Sequence, residues 1–126
     1  MHIAGMGGTG KSYLIDAIAS FFDKIGCREH LMISAPTGCT TVLIRGNTIH
    51  SLTSLPCWKG HINQLELELI WRHVTYLIIN KILMISAKLL SEISHHLCLA
   101  ESANASAADK PIGNVNVIFT GDFGQL

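Results

Sequence analysis

The sequence carries little charge and has no excess of either sign. Nine basic and nine acidic residues cancel, and charged residues make up only 14% of the 126 residues. The basic residues are scattered along the chain, whereas a broad nucleic-acid-binding surface usually shows a basic excess. Composition therefore gives no indication of such a surface. A hydrophobic content of 48% favours a compact fold over disorder.

Long apolar runs and an export signal are also missing. No stretch approaches the roughly 18 consecutive apolar residues of a membrane span, and the opening MHIAGMGG is not a basic, apolar leader. We therefore expect an intracellular protein with no membrane segment. A chain of 126 residues suffices for one domain with a core and is too short for two.

No CxxC pair occurs among the four cysteines, which are Cys27, Cys39, Cys57 and Cys98. A zinc ion is conceivable at Cys57 with His61, or at Cys98 with His95 and His96. Neither group supplies four ligands at the usual spacing. We therefore expect reduced thiols, as in cytosolic and nuclear proteins.

Strand and helix patterns alternate along the chain. Short apolar runs predict strands at 2–5, 31–35, 76–79 and 115–120. Helical spacing predicts one helix from Lys11 to about Asp23, a short one through Val42 and Ile44, and one over 87–98. The first helix is expected to bury a stripe formed by Leu14, Ile15, Ile18, Phe21, Phe22 and Ile25. The alternation predicts an α/β fold, with helices on both faces of a parallel sheet.

Two parts of this pattern stay open. In residues 52–70, Leu65, Leu67 and Leu69 alternate like a strand, while Leu65, Leu69 and Ile70 also fit a helix. The first strand is very short and the chain stops directly after a strand and turn. We therefore expect a partial domain, incomplete at both ends.

The segment GMGGTGKS, from Gly5 to Ser12, matches the phosphate-binding pattern G-x-x-x-x-G-K-[ST] in full. Its glycines permit positive φ, so that backbone N–H groups can surround an anion at the start of a helix. Lys11 is expected to reach the β- and γ-phosphates of a nucleotide, and the Ser12 hydroxyl to join a magnesium shell. The predicted nucleotide-binding residues are Gly5, Gly7, Gly8, Thr9, Gly10, Lys11 and Ser12.

Two further segments follow predicted strands, where ligands gather in open α/β sheets. In SAPTGCTTVLIRGNTIHSL (34–52), the Pro36–Gly38 turn offers a hydroxyl and backbone amides to a second phosphate. Alternatively, these residues form a capped helix followed by a polar loop and bind no phosphate, and the residues alone favour neither interpretation. In FTGDFGQL (119–126), Asp122 and Gln125 lie just beyond a strand, where Gln125 can contact a γ-phosphate. Taken alone, that segment is only a turn signal.

Together these segments resemble the Pif-type DNA helicases, the 5′-to-3′ branch of helicase superfamily one, which includes the helicases of rolling-circle transposons. The resemblance rests on GMGGTGKS, APTGCTTVLIRGNTIHS, YLIINKILMIS and GDFGQL, in that order and at the right spacing. It implies a P-loop NTPase with a RecA-like sheet, of which residues 1–126 would be part of the first of two such domains. The implied cofactors are ATP and Mg²⁺, and the implied partner is single-stranded DNA.

The resemblance also assigns individual roles. It implies that Lys11, Asp122 and Gln125 act in ATP hydrolysis and its coupling to DNA. It places the backbone of single-stranded DNA near four residues, Pro36, Thr37, Gly38 and His50. We expect a monomer and, if the source is eukaryotic, a location in the nucleus, with the mitochondrion as the alternative.

The chain departs from the family at the second motif, where Asp-Glu-Ile-Ser-Met is replaced by Asn80-Lys81-Ile82-Leu83-Met84. The family's Asp holds the magnesium shell and its Glu activates water. Asn80 is only a weak candidate metal contact, and Lys81 stands at the general-base position, where it cannot accept a proton. Loss of a general base typically slows a reaction by about 10²- to 10⁴-fold. Lys81 could instead act as a counter-charge to the phosphates, which would support binding without hydrolysis.

Three functional hypotheses follow. The chain is part of an ATP-dependent DNA helicase, acting in repair, recombination and telomere maintenance, with impaired turnover. Alternatively, it is a pseudoenzyme that binds ATP or DNA without hydrolysis. Alternatively, it is a degenerate transposon-derived fragment. Thr40 and Thr41 stand where the family usually has Ala-Ala, and these two departures, like those at positions 80, 81 and 83, are each reachable by one G-to-A or C-to-T step.

Overall fold

The computed structural model describes residues 1–6, 8–53, 64–101 and 111–122. Its five strands are β1 (His2–Ala4), β2 (Leu31–Ala35), β3 (Asn47–Thr48), β4 (Tyr76–Asn80) and β5 (Asn116–Gly121). Its five helices are α1 (Lys11–Lys24), α2 (Gly38–Ile44), α3 (Ile49–Thr53), α4 (Gln64–Trp71) and α5 (Ala87–Ala100). Short 3₁₀ turns occur at Arg28–His30, Ile82–Met84 and Pro111–Asn114.

All five strands belong to one parallel sheet in the order β1-β5-β4-β2-β3. The predicted α/β class and parallel sheet are therefore confirmed. The central strands β2 and β4 are the most deeply buried, because helices cover both faces of the sheet. Ile78 packs on one face with Ile15 of α1, and Leu77 and Ile79 pack on the other face with Ile93 of α5.

The buried face of α1 is narrower than the sequence predicts. Ile15 is fully buried, with Ile18 and Phe22 half-buried on the same side, so the spacing i, i+3, i+7 faces the sheet. Leu14, Phe21 and Ile25, which we expected in the same stripe, are exposed. The apolar residues of this helix cover more than one face, so periodicity alone could not select the buried one.

The ambiguous segment contains helix α4, but its buried face is not the expected one. Leu67 and Trp71 are fully buried, whereas Leu65 and Leu69 are 72% and 70% exposed. The indole N–H of Trp71 donates to the carbonyl oxygen of Leu52 at 2.8 Å. Packing of Trp71 and this hydrogen bond fix the rotation of the helix about its axis.

The short edge strand β3 was not predicted. It pairs with β2 over two residues only, Asn47 with Ser34 and Thr48 with Ala35. Two polar residues carry no period that could indicate a strand. Gly46 allows the close approach, since a Cβ there would lie 2.5 Å from the carbonyl oxygen of Ile33.

Candidate nucleotide-binding site

The parallel sheet brings the predicted motifs to one edge. Because every strand runs in the same direction, the segments that follow β1, β5, β4 and β2 all lie at the carboxyl edge of the sheet. The phosphate loop follows β1, Asp122 follows β5, Lys81 follows β4 and Pro36 follows β2. The loop and the second motif thus meet across β5, which lies between β1 and β4.

The phosphate loop has the backbone that its glycines permit. Gly8 and Gly10 have φ of 79° and 83°, in the left-handed region that disfavours other residues. Gly10 caps α1, which begins at Lys11. Gly5 lies close to Thr9, and a Cβ on Gly5 would lie 2.6 Å from the Thr9 hydroxyl oxygen, which would then have to move. Gly7 lies outside the described residues.

The Lys11 ammonium is held by the loop itself. It donates to the carbonyl oxygen of Gly5 and, at 2.8 Å, to that of Met6. The Thr9 hydroxyl donates to the same Met6 carbonyl at 2.6 Å. The side chain of Lys11 thus closes the loop from inside, at the point where an anion would enter. A phosphate would offer the ammonium a stronger, charged acceptor than these two neutral carbonyls.

A cavity of about 530 Å³ opens in front of the loop. This volume lies in the range typical of small-molecule sites, roughly 300–1,000 Å³. Its walls combine the loop, the second motif and the end of β5: Gly8, Gly10, Lys11, Ser12, Asn80, Lys81, Leu83, Met84, Gly121 and Asp122. The cavity therefore joins residues that are far apart in sequence and that the motifs singled out separately.

Asn80 lines this cavity and is hydrogen-bonded to the neighbouring strand of the sheet. It is only 7% exposed, and its Oδ1 accepts two hydrogen bonds, from the Thr120 hydroxyl at 2.8 Å and from the Lys81 backbone N–H at 2.9 Å. Thr120 lies opposite Asn80 in the register of β4 and β5. The Asn80 side-chain oxygen is thus engaged by the fold.

Lys81 forms the turn that leaves β4. Its φ and ψ of 56° and 52° are left-handed, which is uncommon for a residue with a Cβ. The following 3₁₀ turn packs on β5, where a Cβ on Gly121 would lie 3.0 Å from Ile82 Cγ2. Lys81 is exposed and lines the cavity. The contacts of Gly121 with Ile82 and of Thr120 with Asn80 could not be predicted from the sequence, because both depend on the pairing of β5 with β4.

The predicted DNA-contacting residues form a separate group. Pro36 and Thr37 connect β2 to α2, which begins at Gly38, and none of the three lines the cavity. The hydroxyls of Thr37 and Thr40 are 2.9 Å apart, and the Thr41 hydroxyl donates to the Gly38 carbonyl at 2.6 Å. This turn is therefore stabilised by hydroxyl contacts that the sequence analysis did not foresee.

His50 belongs to the first turn of α3 and is half-buried. Its neighbours Thr48 and Ser51 bond to one another, with 3.0 Å between their hydroxyl oxygens. Asp122 lines the cavity, whereas Gln125 lies outside the described residues.

Metal-ligating side chains do not cluster in the described ranges, residues 1–6, 8–53, 64–101 and 111–122. No group of three or more His, Cys, Asp or Glu side chains there could hold a metal ion. Cys27 and Cys39 are free thiols, and the pair Cys57 and His61 lies outside the described residues. Within the same ranges, no helix is long and apolar enough to cross a bilayer.

A glycine loop at the start of a helix, at the carboxyl edge of a parallel sheet, defines a P-loop nucleotide-binding fold. The family model of the PIF1-like helicases matches residues 1–126. The chain belongs to the PIF1-like helicase family.

Individual relatives agree with this assignment. The ATP-dependent DNA helicase RRM3 of Saccharomyces cerevisiae is 31% identical over 97% of the chain, which spans 17% of that protein's length. Unliganded Pif1 from Bacteroides sp. superposes with a TM-score of 0.79 at 25% identity, over 99% of this chain and 28% of that one. Bacteroides Pif1 in complex with ADP-AlF3 and single-stranded DNA gives a TM-score of 0.78 at 27% identity, with the same two coverages. The RecA-like fold expected from the sequence is therefore confirmed.

Proposed function

We propose that the chain is the ATP-binding part of a PIF1-like DNA helicase and that its own ATP hydrolysis is very slow. The observation that carries the binding proposal is the 530 Å³ cavity closed by the phosphate loop, with Lys11 and Ser12 in its wall. A relative of the same fold is known in complex with ADP-AlF3 and single-stranded DNA. The chain spans only 17% of its RRM3 relative, so DNA unwinding would be a property of a longer protein.

The residues of the cavity support definite roles in binding. The left-handed backbone of Gly8 and Gly10 would let N–H groups of the loop turn toward phosphate oxygens, and Lys11 would leave the Gly5 and Met6 carbonyls to bind the β- and γ-phosphates. Asp122 stands at the end of β5, where it can respond to the terminal phosphate. We propose Gln125 for the same role on the strength of the family motif.

Slow turnover follows from the second motif. Activation of water needs a group that accepts a proton, and the Lys81 ammonium cannot accept one. The magnesium ion expected from the resemblance also fits this motif poorly, because the Asn80 oxygen already accepts two hydrogen bonds and Lys81 repels a cation. Ser12 remains the one proposed ligand of such an ion. A nucleotide- or DNA-binding protein without hydrolysis is the second candidate, and Lys81 favours it.

The Pro36–Gly38 turn and His50 are proposed contacts to the DNA backbone. They lie at the same sheet edge as the cavity, beyond β4, so a strand bound there would run beside the nucleotide site. The nuclear location and the monomeric state remain predictions.

The test is equilibrium binding of a fluorescent ATP analogue, together with ATP hydrolysis in the presence of single-stranded DNA. We expect binding that Lys11→Ala abolishes, and turnover no higher than that of Lys11→Ala. Hydrolysis that single-stranded DNA stimulates and Lys11→Ala removes would show an active motor instead. If circular dichroism shows that the chain is folded and it still binds no analogue, the ATP-site proposal is refuted.

A further inference from the structure

The charged groups that face the cavity are unusual for a site that binds a nucleotide together with a divalent cation. Among its lining residues, two carry ammonium groups, Lys11 and Lys81, and one carries a carboxylate, Asp122. A triphosphate brings three to four negative charges, and a metal ion normally offsets part of them. In this cavity the two ammonium groups outnumber the one carboxylate, so the protein itself supplies a net positive charge that can offset the phosphates.

The fixed oxygen at the end of β4 is not available to a metal-bound water. Asn80 Oδ1 accepts from Thr120 Oγ1 and from the Lys81 N–H, both at hydrogen-bond distance, inside a nearly buried side chain. An amide oxygen with two donors has both of its lone pairs in use. Release of the Thr120 hydroxyl would break a contact that joins β4 to β5. Release of the Lys81 N–H would break the contact that fixes the turn at Lys81.

The position of Lys81 is set by the fold rather than by chance orientation of a surface side chain. Its left-handed backbone begins the 3₁₀ turn Ile82–Met84, and Ile82 of that turn packs closely on Gly121 at the end of β5. The turn therefore keeps the Lys81 Cα above the cavity, across from the phosphate loop. A lysine anchored there can move its ammonium toward an anion without any change in the backbone.

We propose that this cavity binds nucleoside triphosphates without a divalent cation, with the Lys81 ammonium as the counter-charge to the terminal phosphates. The inference rests on the proposed ATP-binding function and adds the form of the ligand, the metal-free nucleotide. Magnesium is then a competitor for the phosphates rather than a part of the site.

The experiment measures binding of a fluorescent ATP analogue to the full 126-residue chain, in EDTA and in excess Mg²⁺. The unmodified chain should bind in EDTA at least as tightly as in Mg²⁺. Lys81→Gln should weaken binding in EDTA by about tenfold, as expected for the loss of one charge-assisted contact. Lys88→Gln is the matched control, because Lys88 is also exposed but does not line the cavity, and it should change affinity less than about twofold.

Charge-retaining and charge-reversing variants complete the design. Lys81→Arg should keep most of the affinity in EDTA, which separates the effect of charge from an effect on the turn. The double change Asn80→Asp with Lys81→Glu should bind poorly in EDTA and recover with Mg²⁺. Circular dichroism verifies that each variant is folded.

Two results would overturn the inference alone: Mg²⁺ strengthening the binding of the unmodified chain by about tenfold or more, or Lys81→Gln binding as tightly as the unmodified chain in EDTA. In both cases ATP would still bind, so the proposed function would stand. Absence of binding in both buffers would overturn the proposed function and the inference together.

Discussion

The Asn80 side chain connects the two strands at the centre of the site. Its oxygen accepts from Thr120 on β5 and from the next N–H along the chain, so it contributes to the junction where the cavity is built. For the fold, the side chain at position 80 needs an oxygen that accepts both hydrogen bonds, and its charge matters less. An amide satisfies them without the charge that would attract a metal ion.

Thr120 gives a direct test of this junction. Thr120→Val keeps the shape but removes the hydroxyl that donates to Asn80, in a residue that is only 1% exposed. We expect a loss of about 0.5–1.5 kcal/mol in the free energy of unfolding, because one buried hydrogen bond disappears while the Lys81 N–H still satisfies the oxygen. Urea denaturation followed by circular dichroism measures it.

The control for that substitution is Thr75→Val. Thr75 is exposed, and its hydroxyl makes only a long contact of 3.4 Å to the His30 carbonyl. Its unfolding free energy should change by less than about 0.5 kcal/mol. Equal effects of the two substitutions would mean that the Thr120–Asn80 contact contributes nothing specific.

Among the helices, α4 shows how tertiary packing selects a face that the sequence leaves open. Leu65, Leu67 and Leu69 are chemically equivalent in the pattern, yet only Leu67 is buried. Which leucine is buried depends on Trp71, one turn later, whose indole N–H donates a hydrogen bond to the carbonyl oxygen of Leu52 in α3. The helix is oriented so that its largest side chain, Trp71, is buried, and Leu65 and Leu69 therefore face solvent.

Leu67→Ala and Leu69→Ala form a matched pair on this helix. Leu67→Ala should lower the free energy of unfolding by about 2–5 kcal/mol, because it leaves a cavity in a closely packed core. Leu69→Ala should change it by less than about 0.5 kcal/mol, since that side chain is 70% exposed. Chemical denaturation of both variants measures the difference. Comparable losses would show that α4 buries the leucine face expected from the sequence.

The elements that the sequence predicted well are those with a long or continuous apolar pattern. The spans of β2 and α1, and the start of α5, were predicted to within one residue. The two-residue strand β3 has no such pattern, and the buried faces of α1 and α4 depend on partners that are distant in sequence. Among the residues that line the cavity, the sequence motifs had singled out those of the loop together with Asn80, Lys81 and Asp122. The contact of Thr120 with Asn80 required the register of β4 with β5, which only the assembled sheet provides.

Across the whole molecule, the balanced charge limits how DNA can be held. Nine basic and nine acidic residues give no net attraction to a polyanion, and the proposed DNA contacts use hydroxyl, backbone and imidazole groups at Thr37, Gly38 and His50. Such groups bind phosphate locally and displace few counterions. Affinity for single-stranded DNA should therefore be modest and should depend weakly on salt.

The slope of log Kobs against log salt concentration measures this. For single strands the slope is about −0.7 for each phosphate neutralised by a cationic group. We expect a value of about −1.5 or shallower, which corresponds to two such contacts at most. Fluorescence anisotropy of a labelled oligonucleotide over a range of salt concentrations gives it, with Thr37→Ala as the variant that should weaken binding at every salt concentration and leave the slope unchanged. A slope steeper than about −3 would require four or more cationic contacts and would place the DNA on a basic surface rather than on the turn after β2.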